Sequence, residues 1–292
     1  MGSNSHYFFE RIGSMEKKIR VTLNKSAIDI LDTDVNSYKI SKNYLINYIF
    51  DQLKEDNLEI NYYDEDEKGI VQFNLNKKNR DIYYDILAER NIQVEAEFIR
   101  KMIYKYVYHS KSSRELFLYQ DIVNRLKYAI KQKRVIKIGF DDGRKTSVLP
   151  FFIGSSKLEL ANYIFCYDII DDRYKNYKLS NIKTIFITQE KREWQNKEFI
   201  KNVIKNFDPF LSQGKKIKAI LTEEGKKLLS SIALNRPETI SISDNIYEFK
   251  CSEQQAKRYF TYFLDEIEIL EPLSLREWFI DKYTSALKRY SN

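Results

Sequence analysis

The segment Ile19-Arg20-Val21-Thr22-Leu23-Asn24-Lys25 recurs 52 positions later as Val71-Gln72-Phe73-Asn74-Leu75-Asn76-Lys77. A duplicated unit constrains the fold more than composition does, because both copies must adopt one local structure. Each copy alternates apolar and polar residues, the period of a half-buried strand. Helical spacing follows each strand over 27–32 and 79–89, and after a polar break again over 41–53 and 94–108. One such unit is too short to bury its own apolar faces, so the two strands are expected to pair into a ribbon above four helices. With Ile19, Val21, Leu23, Val71, Phe73 and Leu75 turned inward, the outward set is Lys18, Arg20, Thr22, Gln72 and Asn74. Those side chains can contact phosphates or base edges, although the ribbon could equally serve only to fold and assemble the chain.

The unit resembles the ribbon-helix-helix fold of the Arc and MetJ type, which normally forms from two identical chains. Gln72-Phe73-Asn74-Leu75 matches that family's strand, and Leu87-Ala88-Glu89-Arg90-Asn91 falls where its two helices meet. The resemblance covers about a third of the chain. It implies that the outward strand residues enter a major groove and that the second helix grips a phosphate at its N-terminus. Ser41 suits that grip in the first copy, whereas the second copy places Glu95 and Glu97 there.

The chain carries a formal charge of +7, and its distribution is uneven. Lys and Arg number 17 against 18 Asp and Glu over 15–115, 16 against 10 over 116–200, and 15 against 13 over 201–292. A polyanion is therefore expected to dock on the middle third, where neutralised phosphates release counterions. An amphipathic helix over 119–133 precedes apolar stretches at 135–140, 145–153, 158–170, 174–179 and 182–188, with Asp141-Asp142-Gly143 as a hairpin turn. Five short strands after a helix predict a small closed barrel of the Sm or SH3 kind.

These residues resemble the WYL domain. Its name-giving motif falls on Asn162-Tyr163-Ile164, followed by Cys166 and Asp168 and preceded by Pro150, and its closing pattern falls on 175–182. Asn162 replaces the motif's tryptophan and Asn181 its last arginine. The resemblance implies a pocket for nucleic acid or a nucleotide-like effector, lined by Arg144, Lys145, Arg173, Lys175 and Lys178. Alternation puts Tyr163, Phe165 and Tyr167 on one strand face and Asn162, Ile164, Cys166 and Asp168 on the other. If the aromatic face is the core, the rings are packing; if it looks outward, Tyr163 is a stacking platform for unpaired bases.

The last third reads as a split βαββαβ unit of ferredoxin-like plan, with strands at 216–221, 238–243, 246–250 and 266–270 and helices at 223–233 and 252–264. A final helix over 274–290 opens with Ser274 and Glu277 at capping-box spacing. Glu268-Ile269-Leu270-Glu271-Pro272, Leu275-Arg276 and Tyr290 resemble the extension that follows WYL domains, which implies a homodimer.

The fold class expected is thus α+β: a tandem ribbon-helix-helix unit (15–115), a helix with a five-stranded WYL barrel (116–200) and a ferredoxin-like extension (201–292). Residues 1–14 end in Gly13-Ser14 just before Met15 and read as an expression remnant. Two distant cysteines give neither a disulfide framework nor a zinc site. With two histidines, and without a phosphate loop or a nucleophile elbow, no catalytic residue, metal or cofactor is expected. No apolar run is long enough to cross a bilayer, which points to the cytoplasm. The whole plan resembles the WYL accessory proteins found beside type VI-D CRISPR effectors, which implies a non-catalytic protein that binds single-stranded RNA, or DNA, and enhances an RNA-guided RNase. The alternative is a WYL transcription regulator that reads duplex DNA through the ribbon and senses a ligand at the barrel.

Overall fold

Val21 and Val71, the central residues of the repeated segments, face each other across an antiparallel ribbon. In the computed structural model, which describes residues 17–62, 67–156, 159–205, 207, 209 and 216–291, β1 (Lys18–Asn24) pairs with β2 (Lys68–Asn74). Residues 1–14 lie outside this set. All six apolar residues expected to point inward are buried, and they share one core with α1 (Lys25–Tyr38), α2 (Lys42–Leu53), α3 (Lys77–Glu89) and α4 (Glu95–Val107). β2 stops at Asn74, short of the repeated segment's end. The reason is capping: the Asn76 side chain accepts from Asn79 N at 2.9 Å and starts α3. Buried Asn47 on α2 holds this corner, donating to Asn74 O at 2.9 Å while its Oδ1 accepts from Asn76 N at 2.8 Å.

The helix expected over 119–133 is α6 (Gln120–Lys131), and a helix that was not expected, α5 (Lys111–Leu118), precedes it. α5 is anchored by Arg114, whose guanidinium grips the fully buried Asp34 of α1 at 2.6 and 3.1 Å, while Tyr106 Oη donates to the same carboxylate at 2.8 Å.

The chain divides into two compact units, residues 1–123 and 124–292. In the second, Leu126 and Ala129 of α6 are buried, and five antiparallel strands follow: β3 (Arg134–Phe140), β4 (Lys145–Ser156), β5 (Ala161–Asp168), β6 (Arg173–Lys178) and β7 (Ile182–Lys191). Their order is β6-β5-β4-β3-β7. Among the described residues no ladder joins β6 to β7; a single 3-10 turn, Leu179–Asn181, links them. Ile200 and Val203 of α7 (Lys197–Lys205) cover one end of one sheet face, against Val135, Leu149, Phe151 and Phe165.

The remaining strands, β8 (Lys216–Leu221), β9 (Glu238–Ser243), β10 (Ile246–Lys250) and β11 (Ile267–Glu271), form an antiparallel sheet in the order β11-β8-β10-β9. α8 (Glu223–Ser231) and α9 (Glu253–Phe260) are its crossovers, and α10 (Leu273–Tyr290) ends the described chain. The capping box expected at Ser274 does not form. Pro272 occupies the N-cap, and Ser274 Oγ donates to Glu253 at 3.2 Å instead.

Candidate nucleic-acid interface

β5 is buried on both faces, so alternation could not decide which was outward. Phe165 belongs to the core beneath α7, while Ile164 and Cys166 are fully buried on the opposite face. Tyr163 is buried too, and its hydroxyl donates to the Glu159 carboxylate. It therefore offers no open ring face, and the stacking platform expected there is corrected to a packed tyrosine. Burial raises the thiol pKa of Cys166, and pushes that of Cys251 up to about 12; both cysteines are free and behave as small apolar side chains.

Asp168 organises the sheet end. Thr146 Oγ1 donates to it at 2.9 Å, Tyr177 Oη donates to it, and the backbone N–H groups of Ile170 and Asp171 donate at 2.9 and 3.0 Å. Burial alone would raise its carboxyl pKa, but these donors and the Lys175 ammonium at 3.5 Å outweigh burial and hold it below the ordinary value.

The expected basic lining is mostly occupied by carboxylates. Arg144 pairs with Asp142 at 2.7 Å, Arg173 with Asp171 at 3.6 Å, Lys175 with Asp168 and Asp171, and Lys178 with Glu159 at 3.8 Å. The exposed pairs, at Arg144 and Arg173, are weak and can exchange a carboxylate for a phosphate. Lys175 is different, because it compensates a buried charge and is committed to the fold. Lys145 alone of the five has no carboxylate partner among the described residues.

Lys145 lies on a groove that sequence reasoning missed. Ser147, Lys137 and Phe186 stand in register across β4, β3 and β7, with Gly139 and Thr184 in the neighbouring row. The groove they form with Ile170 encloses about 260 Å³ and has no acidic lining residue. Phe186 is 65% exposed on a strand whose other face is core. The signal was present: Ile182, Ile185 and Ile187 conceal a phenylalanine at the position where alternation calls for a polar residue.

On the ribbon, Lys18, Arg20, Thr22 and Gln72 are exposed and Asn74 is half-buried, all on the face away from the core. Arg20 Nε donates to Gln72 Oε1 at 2.8 Å. Ile70, 72% exposed, stands opposite Thr22 in the same row. Ser41 caps α2 by accepting from Tyr44 N at 3.0 Å, whereas α4 starts at Val94 without a side-chain cap and with Glu95 and Glu97 in its first turn. The two helix starts thus present opposite environments to an anion.

Among the described residues no group of three or more His, Cys, Asp or Glu side chains is placed to hold a metal, and no helix is long and apolar enough to cross a membrane. No family model matches the sequence, and no curated protein matches it either. Among solved structures, the fold is similar to that of a protein described as a CRISPR Cas-related protein, with a TM-score of 0.76 over 95% of each chain at 16% identity. Proteasome accessory factor B/C (PafBC) of Arthrobacter aurescens matches at a TM-score of 0.37 and 14% identity, over 96% of this chain and 51% of that one. At these identities the likeness is one of architecture: a mixed α and β chain with several antiparallel sheets and a CRISPR-related structural neighbour.

Proposed function

We propose that this protein is a non-catalytic, CRISPR-associated accessory protein of WYL type, which binds single-stranded RNA and enhances an RNA-guided RNase. The observation that carries this reading is the full-length match to a CRISPR Cas-related structure, since it spans both compact units. The basic excess of the middle third supports it, as do the element orders, which fit a ribbon-helix-helix unit, a WYL sheet and a ferredoxin-like extension. The charge supports binding of a polyanion, whose affinity then falls linearly in log–log form with salt. The test is to titrate the protein against unpaired RNA, unpaired DNA and duplex DNA at two salt concentrations, and to measure RNA cleavage by a type VI-D effector with and without it. Unpaired RNA should bind tightest and cleavage should rise. Tightest binding to one duplex sequence, or unchanged cleavage, sinks the reading.

A second reading, a regulator of duplex DNA, is favoured by the exposed Lys18, Arg20 and Gln72 on the ribbon. In that case Arg20→Ala removes duplex binding and leaves unpaired RNA unaffected. A homodimer belongs to either reading, and α10 suits it: Leu273, Ile280 and Leu287 are exposed at seven-residue spacing, the a positions of a coiled-coil seam. Glu277 and Asp281 in its first half would meet Lys288 and Arg289 of an antiparallel second copy. Ile280→Glu with Leu287→Glu should then convert a dimer to a monomer in light scattering; an unchanged mass removes α10 from the interface.

A further inference from the structure

We infer that the groove across β4, β3 and β7 is a stacking site for an unpaired nucleobase, with Phe186 as the platform and Lys137 and Lys145 as its phosphate-binding cations. This rests on the single-strand reading above and assigns it a place. The first observation is that Phe186 is 65% exposed and has no ring partner among the described residues, so the fold gains little from an aromatic side chain there. The second is the row beside it. Gly139 has no side chain, and Thr184 Oγ1 lies 2.6 Å from where its Cβ would stand, so only a glycine and a closely seated threonine separate the ring from Lys145 in the hollow of that row.

The third observation is charge. Lys137 and Lys145 flank the hollow without a carboxylate partner among the described residues, whereas the other cations of this sheet that were expected to bind are paired. Both ammonium groups stand on one side of the ring, Lys137 beside it on β3 and Lys145 beyond on β4, which matches a base on Phe186 whose strand runs its phosphates across β3 and β4. The volume of about 260 Å³ lies below the roughly 300 Å³ at which sites for drug-sized ligands begin, which suits one ring at a time on a longer strand. Asn, Gln, Arg, Asp and Glu are absent from the lining, and its Ser and Thr hydroxyls can bond to either kind of base. The site is therefore tolerant of sequence.

The test uses the full chain and fluorescently labelled oligouridine and oligoadenine RNA. Phe186→Ala should weaken both by roughly five- to 150-fold, the alanine cost of one base–ring stack. Phe186→Tyr should restore binding, and Phe186→Leu, apolar without a π face, should not. Replacing Lys137 and Lys145 with Gln should lower the log–log salt slope by about 0.7 for each phosphate no longer neutralised. Because these side chains are exposed, the thermal unfolding of all variants should match that of the parent. If the parent binds RNA and Phe186→Ala binds equally well, the groove is overturned and single-strand binding lies on another face; Phe186 then marks a surface for a protein. If the parent binds no single strand, both readings fall together.

Discussion

Asp34 and Asp168 are both buried carboxylates, yet only the second stands out in the sequence, and only as part of a motif. Asp34 falls just past the helical run read over 27–32, in a polar break where an aspartate looks solvated; its partner Arg114 is 80 positions away, beyond any local pattern. Removing one member of a buried pair leaves the other uncompensated, at a cost of about 3–5 kcal/mol. Asp34→Ala should therefore lower the denaturation midpoint of the first unit sharply, as read by chemical unfolding. A loss below about 1 kcal/mol would reduce this pair to the level of a surface ion pair. Asp168 makes a different prediction, for pH. Its folded pKa is depressed, so its stabilisation is fully present above the unfolded value of about 3.9 and is lost as pH falls toward the lower folded value. Thr146 and Tyr177 donate to this carboxylate, so Asp168→Asn should be less stable near neutral pH and lose less stability than the parent between pH 4 and 2. Parallel stability curves for the two proteins would exclude Asp168 as a source of the acid sensitivity.

Elements are legible where one face is wet. The ribbon alternates cleanly because it has solvent above and helices below, and its inward set follows correctly from spacing. β5 is not legible, because a strand covered on both faces leaves no polar residue to mark the outside. The same limit hides Phe186, an apolar residue on an open face. α5 escapes because Lys111-Ser112-Ser113 looks like a loop, whereas Ser110 accepts from Ser113 N and starts a helix there. At α8 two element-scale effects compete at Gly225. Alanine would gain about 1 kcal/mol in helix propensity over glycine. Its Cβ would instead press directly on the backbone carbonyl of Glu266, where no side chain can move aside, and overpacking of this kind costs about 1–3 kcal/mol. Gly225→Ala should therefore destabilise despite the propensity. A rise in melting temperature would show that the 3-10 segment Thr261–Glu266 yields easily.

At the scale of the whole molecule, the charge count locates the basic excess but not its free cations, because sequence does not say which lysines meet carboxylates. Lys175 and Lys145 look alike in composition; one is bound to Asp168 and the other faces an open groove. The sequence reads as three segments, whereas compactness separates two units at Val123, within α6, because the five-stranded sheet and the C-terminal sheet belong to one unit. Glu159 shows why. It receives the Arg258 guanidinium of α9 at 2.6 Å and the Tyr163 hydroxyl of β5, and so ties a helix of the C-terminal region to the sheet. Each unit has its own buried apolar core, the first centred on the ribbon helices and the second including the C-terminal cluster around Phe249, Phe260 and Phe263. Units with separate cores are expected to unfold as separate cooperative bodies, so that a single two-state description fails. Scanning calorimetry of the full chain should then give a calorimetric enthalpy above the van't Hoff value. Asp34→Ala should move one component downward by on the order of 15 °C while the other stays in place. A single transition that moves as a whole would mean that α6, which is continuous across the boundary, couples the two cores into one folding unit.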